Sequence, residues 1–135
     1  MHGGATQYPH HAADGLVAMG FWRGVIDGAL DDQTRREIDE QRRWAEAEPG
    51  NPRPYYQLAQ LYRTHGRREE ALGLLLEAVR LETAFAAAHV ALAEMYAVEG
   101  DMVAAQRHAE VAAAGGDARA REMLERHGWG PDGSE

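Results

Sequence analysis

Residues 52–85, PRPYYQLAQLYRTHGRREEALGLLLEAVRLETAF, are followed directly by residues 86–119, AAAHVALAEMYAVEGDMVAAQRHAEVAAAGGDAR. Both stretches are 34 residues long and carry identical residues at matching positions. The matching pairs include Leu58/Leu92, Ala59/Ala93, Tyr62/Tyr96, Gly66/Gly100, Ala71/Ala105 and Ala78/Ala112. Because Leu58, Ala59 and Tyr62 fall at i, i+1 and i+4, they share one face of a helix. The chain therefore contains an internal repeat that opens with a helix.

Glycine, threonine and aspartate residues mark where these helices end and begin. Gly66 and Gly100 are predicted to end the first helix of each copy, since glycine readily adopts the left-handed conformation that follows a helix. Thr83 and Asp101 are expected to cap the helices that follow them, because their side chains can accept a hydrogen bond from a free backbone N–H. The helices predicted in this way are Pro52–His65, Arg68–Leu81, Ala84–Val98 and Met102–Ala114.

A repeated helix–turn–helix of this length and residue order resembles the tetratricopeptide repeat. The residues at its signature positions in the first copy are Tyr55, Leu58, Ala59, Tyr62, Gly66, Ala71, Leu75 and Ala78. Thr83 stands where the family usually has proline, and the second copy has His89 and Ala109 at positions for large side chains. The resemblance implies an all-α fold, a right-handed α-solenoid of antiparallel helix pairs.

The resemblance extends from about Asp31 to Asp117. Residues 31–48 look like the second helix of a partial repeat, and Ala118–His127 is expected to be a C-terminal capping helix. Stacked repeats bury their faces against their neighbours, so these flanking helices are interpreted as structural completions. The predicted organisation is an N-terminal segment at 1–30, a helical repeat domain at 31–127 and a tail at 128–135.

In this family the first helices of the repeats line a concave groove that binds a helix or an extended segment of another protein. Carried over by position, the groove residues are Arg53, Tyr56, Gln57, Gln60, Arg63, Val90, Glu94 and Val98. Tyr56 is the expected anchor, because aromatic contacts carry much of the energy of an interface. Tyr56 and Gln60 replace the Lys and Asn of family members that clamp a terminal carboxylate. The alternative is that these residues are solvated or contact the chain's own N-terminal segment.

The N-terminal segment contains the apolar stretch LVAMGFWRGVIDGAL at residues 16–30. As a helix it would place Phe21, Trp22, Val25 and Ile26 on a broad side opposite three glycines. Glycine inside a helix costs roughly 1 kcal/mol relative to alanine, so some packing must offset it. Three interpretations remain open: an internal helix that completes the first repeat, a second docking element for another protein, or a helix at a membrane interface.

Composition excludes several classes of chemistry. The chain has no cysteine, and its net charge of −8 disfavours nucleic acid and anionic membranes as partners. Stretch 16–30 is shorter than the roughly 20 residues that span a bilayer, so a membrane is expected only through a protein partner, and the expected compartment is the cytoplasm. The histidines lack metal-ligand spacing, and those at 65, 89, 108 and 127 are expected at helix surfaces or helix ends. No nucleophile or acid–base pair stands out. We expect no catalytic residue, no metal site and no cofactor.

The sequence thus favours a non-enzymatic protein–protein interaction module, acting as an accessory or scaffolding subunit of a bacterial multi-protein complex. The absence of lysine among its 14 basic residues fits the GC-rich codon usage of many bacteria. Two alternatives remain. One is a soluble assembly chaperone or adaptor that holds a client transiently, and the other is a metal- or haem-linked accessory protein that uses His2, His10 and His11.

Overall fold

The computed structural model describes residues 31–129, and this range consists of α-helices joined by short turns. The helices are α1 (Asp32–Ala47), α2 (Pro52–Thr64), α3 (Arg68–Leu81), α4 (Ala86–Glu99), α5 (Met102–Ala114) and α6 (Ala118–His127). Helix α1 packs against α2, α5 packs against both α4 and α6, and no strand occurs between residues 31 and 129. The predicted all-α fold class is confirmed.

Helix caps explain why most of these boundaries could be read from the sequence. Asp101 accepts a hydrogen bond from the Ala104 N–H at 3.2 Å, as predicted, and Asp117 accepts one from Ala120 at 3.0 Å. Gly66 and Gly100 follow α2 and α4 with φ angles of 76° and 89°, which confirms the predicted terminations. Both kinds of residue satisfy backbone groups that a helix end leaves without an internal partner.

The start of α4 differs from the prediction. Thr83 was expected to cap a helix beginning at Ala84, but α4 begins at Ala86, and the residue before it, Phe85, makes no capping hydrogen bond through its side chain. The Phe85 N–H donates to the Glu82 carbonyl at 3.1 Å, so residues 82–85 form a turn. Thr83 lies inside this turn, two residues before Phe85 at the N-cap position.

The described residues divide into two compact units, with the boundary between Glu77 and Ala78. In the first unit α1 packs against α2. Its buried side chains are Ile38, Ala45, Tyr55, Leu58, Ala59, Tyr62, Ala71, Leu74 and Leu75. The periodic residues of the first copy are therefore core residues, which bury apolar surface on one face of each helix.

A polar contact also links α1 to the end of α2 in this unit. The Nδ1 of His65 lies 2.9 Å from the Leu61 carbonyl, which can only accept, so Nδ1 carries the hydrogen and donates it. In neutral His65 the Nε2 then accepts from the buried Thr34 hydroxyl at 3.2 Å. Asp31 caps α1 by accepting from the Thr34 N–H at 2.7 Å, and hydrogen bonding from Thr34 lowers the pKa of Asp31.

In the second unit α5 packs against both α4 and α6. One buried cluster contains Ala93 of α4, Ala109 of α5, and Met123 and Leu124 of α6. Small side chains on α4 and α5 thus meet larger ones on α6. This arrangement agrees with the interpretation of α6 as a structural completion of the second copy.

Gly73, in the middle of α3, is a site where the fold can be stabilised. A Cβ atom built on Gly73 meets nothing within 4 Å, and its φ angle is not positive. Alanine reduces the freedom of the unfolded chain and has a higher helix propensity. We expect Gly73→Ala to raise the free energy of unfolding by about 0.5–1 kcal/mol.

Urea denaturation of the wild type and of Gly73→Ala measures this difference. Gly66→Ala is the contrasting variant, since the φ angle of Gly66 is positive and an alanine there is strained. It should lower the free energy of unfolding. An equal effect of both substitutions would contradict the assignment of Gly73 to an unstrained helical position.

Candidate protein-binding surfaces

The outward face of α2 carries five of the predicted groove residues. Arg53, Tyr56, Gln57, Gln60 and Arg63 share a face of the helix roughly opposite to the buried residues of α2. We call these five residues the α2 surface. Arg53 and Gln57 are exposed, and the other three are half-buried. The helical phase therefore separates the two roles that the sequence predicted, core on one side and contact surface on the other.

The local sequence keeps the α2 surface free of acidic side chains. Asn51 caps the helix by accepting from the Arg53 N–H at 2.9 Å, and prolines occupy its first turn. From Pro52 to Arg68 the chain has four arginines and no Asp or Glu, although its net charge is −8. The α2 surface thus combines positive charge, amide groups and one aromatic ring.

The predicted groove residues of α4 have three different environments. Val98 is 85% exposed at the C-terminal end of α4, and Glu94 is half-buried. Val90 is 1% exposed and lies in a cluster with Ala112 and Ala120. Val90 thus contributes to the core of the second unit. Glu94 and Val98, which we call the α4 surface, are the predicted groove residues of α4 that are not buried.

A histidine pair lies between α4 and α5. The Nδ1 atoms of His89 and His108 are 2.9 Å apart, and Nε2 of His89 lies 2.8 Å from the Thr83 carbonyl oxygen. The His108 ring stacks on Tyr96, with ring centroids 5.6 Å apart. Burial of the His108 ring lowers its pKa, and the neighbouring His89 and Arg107 charges lower it further.

The sequence interpretation placed His89 on a helix surface or at a helix end, which is wrong, because His89 is 6% exposed. The repeat alignment indicates that His89 is buried, because His89 occupies the position of the buried Tyr55. A histidine at a core position must satisfy its ring nitrogens internally. The partner on α5, His108, could not be identified from spacing alone.

The four predicted N-terminal docking residues, Phe21, Trp22, Val25 and Ile26, lie outside the described residues, as do His2, His10 and His11. Within residues 31–129, no group of three or more potential ligand side chains could hold a metal ion. No helix in that range is long and apolar enough to cross a membrane.

The fold and its surfaces define a helical repeat protein. The family model for the tetratricopeptide repeat matches residues 31–114, which is more than half of the chain. The chain belongs to the tetratricopeptide repeat family, and the resemblance inferred from its residues is confirmed. No curated protein matches the chain. Repeats of this family generally bind other proteins and are typically non-catalytic, so membership implies a protein–protein interaction module.

Proposed function

We propose that the chain is an accessory or scaffolding subunit of a bacterial multi-protein complex in the cytoplasm, and that it binds a segment of another protein on the α2 surface. Family membership supports the general role. The observation that supports the location is the division of α2 into a buried face and an opposite polar face. Burial of the first face stabilises the helix, so the second face can carry side chains that contact another protein.

The chemistry of the α2 surface indicates what kind of segment it binds. Arg53 is exposed, and no acidic side chain occurs along α2 to neutralise it. An acidic side chain on the partner would gain a favourable charge interaction there and would steer the encounter. Tyr56 adds a rigid aromatic contact, and aromatic side chains are enriched among residues that dominate binding energy. We therefore propose a partner segment that carries acidic and apolar side chains.

The α4 surface is a second, separate candidate. Val98 exposes most of an apolar side chain next to the turn at Gly100, and Glu94 lies one helical turn earlier on α4. A charged and an apolar group at this spacing can contact one side of a bound segment. Substitution of Val98 by Asp tests this surface independently of α2.

Binding to the α2 surface is tested by a pull-down from the native source with quantitative mass spectrometry. We expect Tyr56→Ala to weaken the affinity for the partner about thirty-fold, as truncation of an interface residue worth about 2 kcal/mol would, and so to reduce recovery of the partner. Arg53→Glu should weaken binding more at low salt than at high salt, because salt screens the interaction between exposed charges. Arg43→Glu, at an exposed position of α1, is the matched control and should bind like the wild type.

The same experiment separates the alternatives. A chain that starts at Asp31 reports on residues 1–30, and loss of the partner with this chain alone would identify the N-terminal segment as the docking element. Equal recovery with Tyr56→Ala, Arg53→Glu and the wild type would contradict the α2 surface. Recovery of several proteins, all far below stoichiometric amounts, would favour an assembly chaperone or adaptor over a stable subunit.

A further inference from the structure

The hydrogen bonds of His89 fix where the protons of the histidine pair lie. A carbonyl oxygen only accepts hydrogen bonds, so His89 Nε2, which lies 2.8 Å from the Thr83 carbonyl, carries a hydrogen and donates it. In the neutral ring His89 Nδ1 is then an acceptor. His108 Nδ1, 2.9 Å away, must donate to it. The neutral pair thus has one defined arrangement of tautomers, in which a single hydrogen lies between the two Nδ1 atoms.

Adding protons affects the two rings differently. A first proton can bind His108 at Nε2, which leaves the hydrogen bond between the rings intact. A second proton can bind only at His89 Nδ1, where it would replace the acceptor with a second donor. Two N–H groups would then face each other at 2.9 Å, with a positive charge on each ring. The doubly protonated pair cannot keep this geometry.

We propose that the His89–His108 pair is a pH-sensitive clamp that holds α4 against α5 while the hydrogen bond between the rings is intact, and releases the contact when acidification gives both rings a positive charge. His89 is almost fully buried, and its two ring nitrogens link it to α5 and to the turn before α4. Breaking this link would leave buried polar atoms without partners, which is costly. The proposal does not depend on the proposed binding function.

The charged neighbours of the pair oppose a positive charge on His108. On α4, Tyr96 contributes an aromatic ring stacked on His108, and on α5 the charged neighbour is Arg107. Helix α6 packs against α5 through Ala120, Met123 and Leu124, and its titratable side chains are exposed. Glu82, in the turn that contains Thr83, is also exposed. Among the described residues, the ionisable groups whose charges act on His108 are therefore His89 and Arg107, and both disfavour a further proton.

The direction of the pH effect follows from these surroundings. In the unfolded chain histidine has its ordinary pKa of about 6.5, whereas in the folded unit the pKa of His108 is lower. Below about pH 6.5 the His108 ring consequently binds a proton more readily in the unfolded chain than in the folded one, and its contribution to stability rises with pH in this range. The stability that the neutral His108 ring contributes at pH 8 is thus lost progressively as the pH falls through 6.5 toward the lower pKa of His108 in the folded unit.

Thermal unfolding of the full chain between pH 8 and pH 5.5 tests the clamp. We expect the wild-type Tm to fall by about 4 °C or more over this interval. His108→Asn removes the titrating ring and keeps an N–H donor near the position of Nδ1, so its Tm should fall less than half as far. His127→Asn, which replaces an exposed histidine of the same unit, should behave like the wild type.

Imidazole nitrogen NMR of the wild-type chain provides a measurement that needs no variant. At pH 8 we expect His89 with hydrogen on Nε2 and His108 with hydrogen on Nδ1, and we expect hydrogen exchange of α4 and α5 to accelerate as the pH is lowered. Either the other tautomer on His108 or an unchanged pH dependence in a folded His108→Asn variant would overturn the proposal.

Discussion

Replacing Leu58 by alanine is expected to lower the free energy of unfolding of the first unit by about 3 kcal/mol. Leu58 is 0% exposed in the centre of α2, on the face that carries Tyr55, Ala59 and Tyr62. Truncation removes buried methyl groups and leaves a cavity that rigid neighbouring helices fill only in part. Because α2 is also the helix that presents the α2 surface, the substitution should reduce partner binding through the loss of folded protein.

Urea denaturation, combined with hydrogen exchange to locate the effect, measures this change. Leu76→Ala is the matched control, because Leu76 lies on α3 in the same unit and is 40% exposed. Its truncation removes the same groups from a site that water already reaches, so the loss should stay below about 1 kcal/mol. Similar losses for both variants would show that the repeat pattern does not mark the core.

Helix positions and several helix boundaries are determined by residues that lie close together in the sequence. Helix positions follow from apolar periodicity, and Gly66, Gly100 and Asp101 fix boundaries through backbone conformation or a hydrogen bond within one turn. These are local effects, so one sequence suffices to predict them. Thr83 failed as a cap because the turn at 82–85 competes with the helix, and residue type alone does not decide between them.

Whether a predicted groove residue is buried depends on packing between helices, and this was harder to predict. The α2 surface follows from helical phase, and its residues lie on the expected side of α2. Val90 has a groove position in the family pattern, yet it packs against Ala112 and Ala120. Small residues there leave space that Val90 fills, and this depends on the approach of three helices. The His89–His108 pair was missed for the same reason, since it joins residues from two helices.

The second large effect is expected from Leu124→Asp on α6. Leu124 is 8% exposed and lies in the cluster with Ala93, Ala109 and Met123. The substitution would place a carboxylate against the apolar side chains of this cluster, and moving a charge from water into such surroundings costs several kcal/mol. We expect the free energy of unfolding of the second unit to fall by about 3 kcal/mol or more.

Hydrogen exchange tests whether α6 completes this unit. If it does, Leu124→Asp will accelerate exchange in α4 and α5 as well as in α6, because repeat units depend on contacts with their neighbours. The matched control is Val103→Asp, which makes the same kind of apolar-to-acidic change at a 65% exposed position in the first turn of α5, where a negative charge is favourable. It should leave exchange unchanged.

If Leu124→Asp accelerates exchange in α6 alone, then α4 and α5 form a stable pair by themselves and α6 is an appendage. The alanines at 93 and 109 argue against that outcome, because their small side chains bury little apolar surface without Met123 and Leu124.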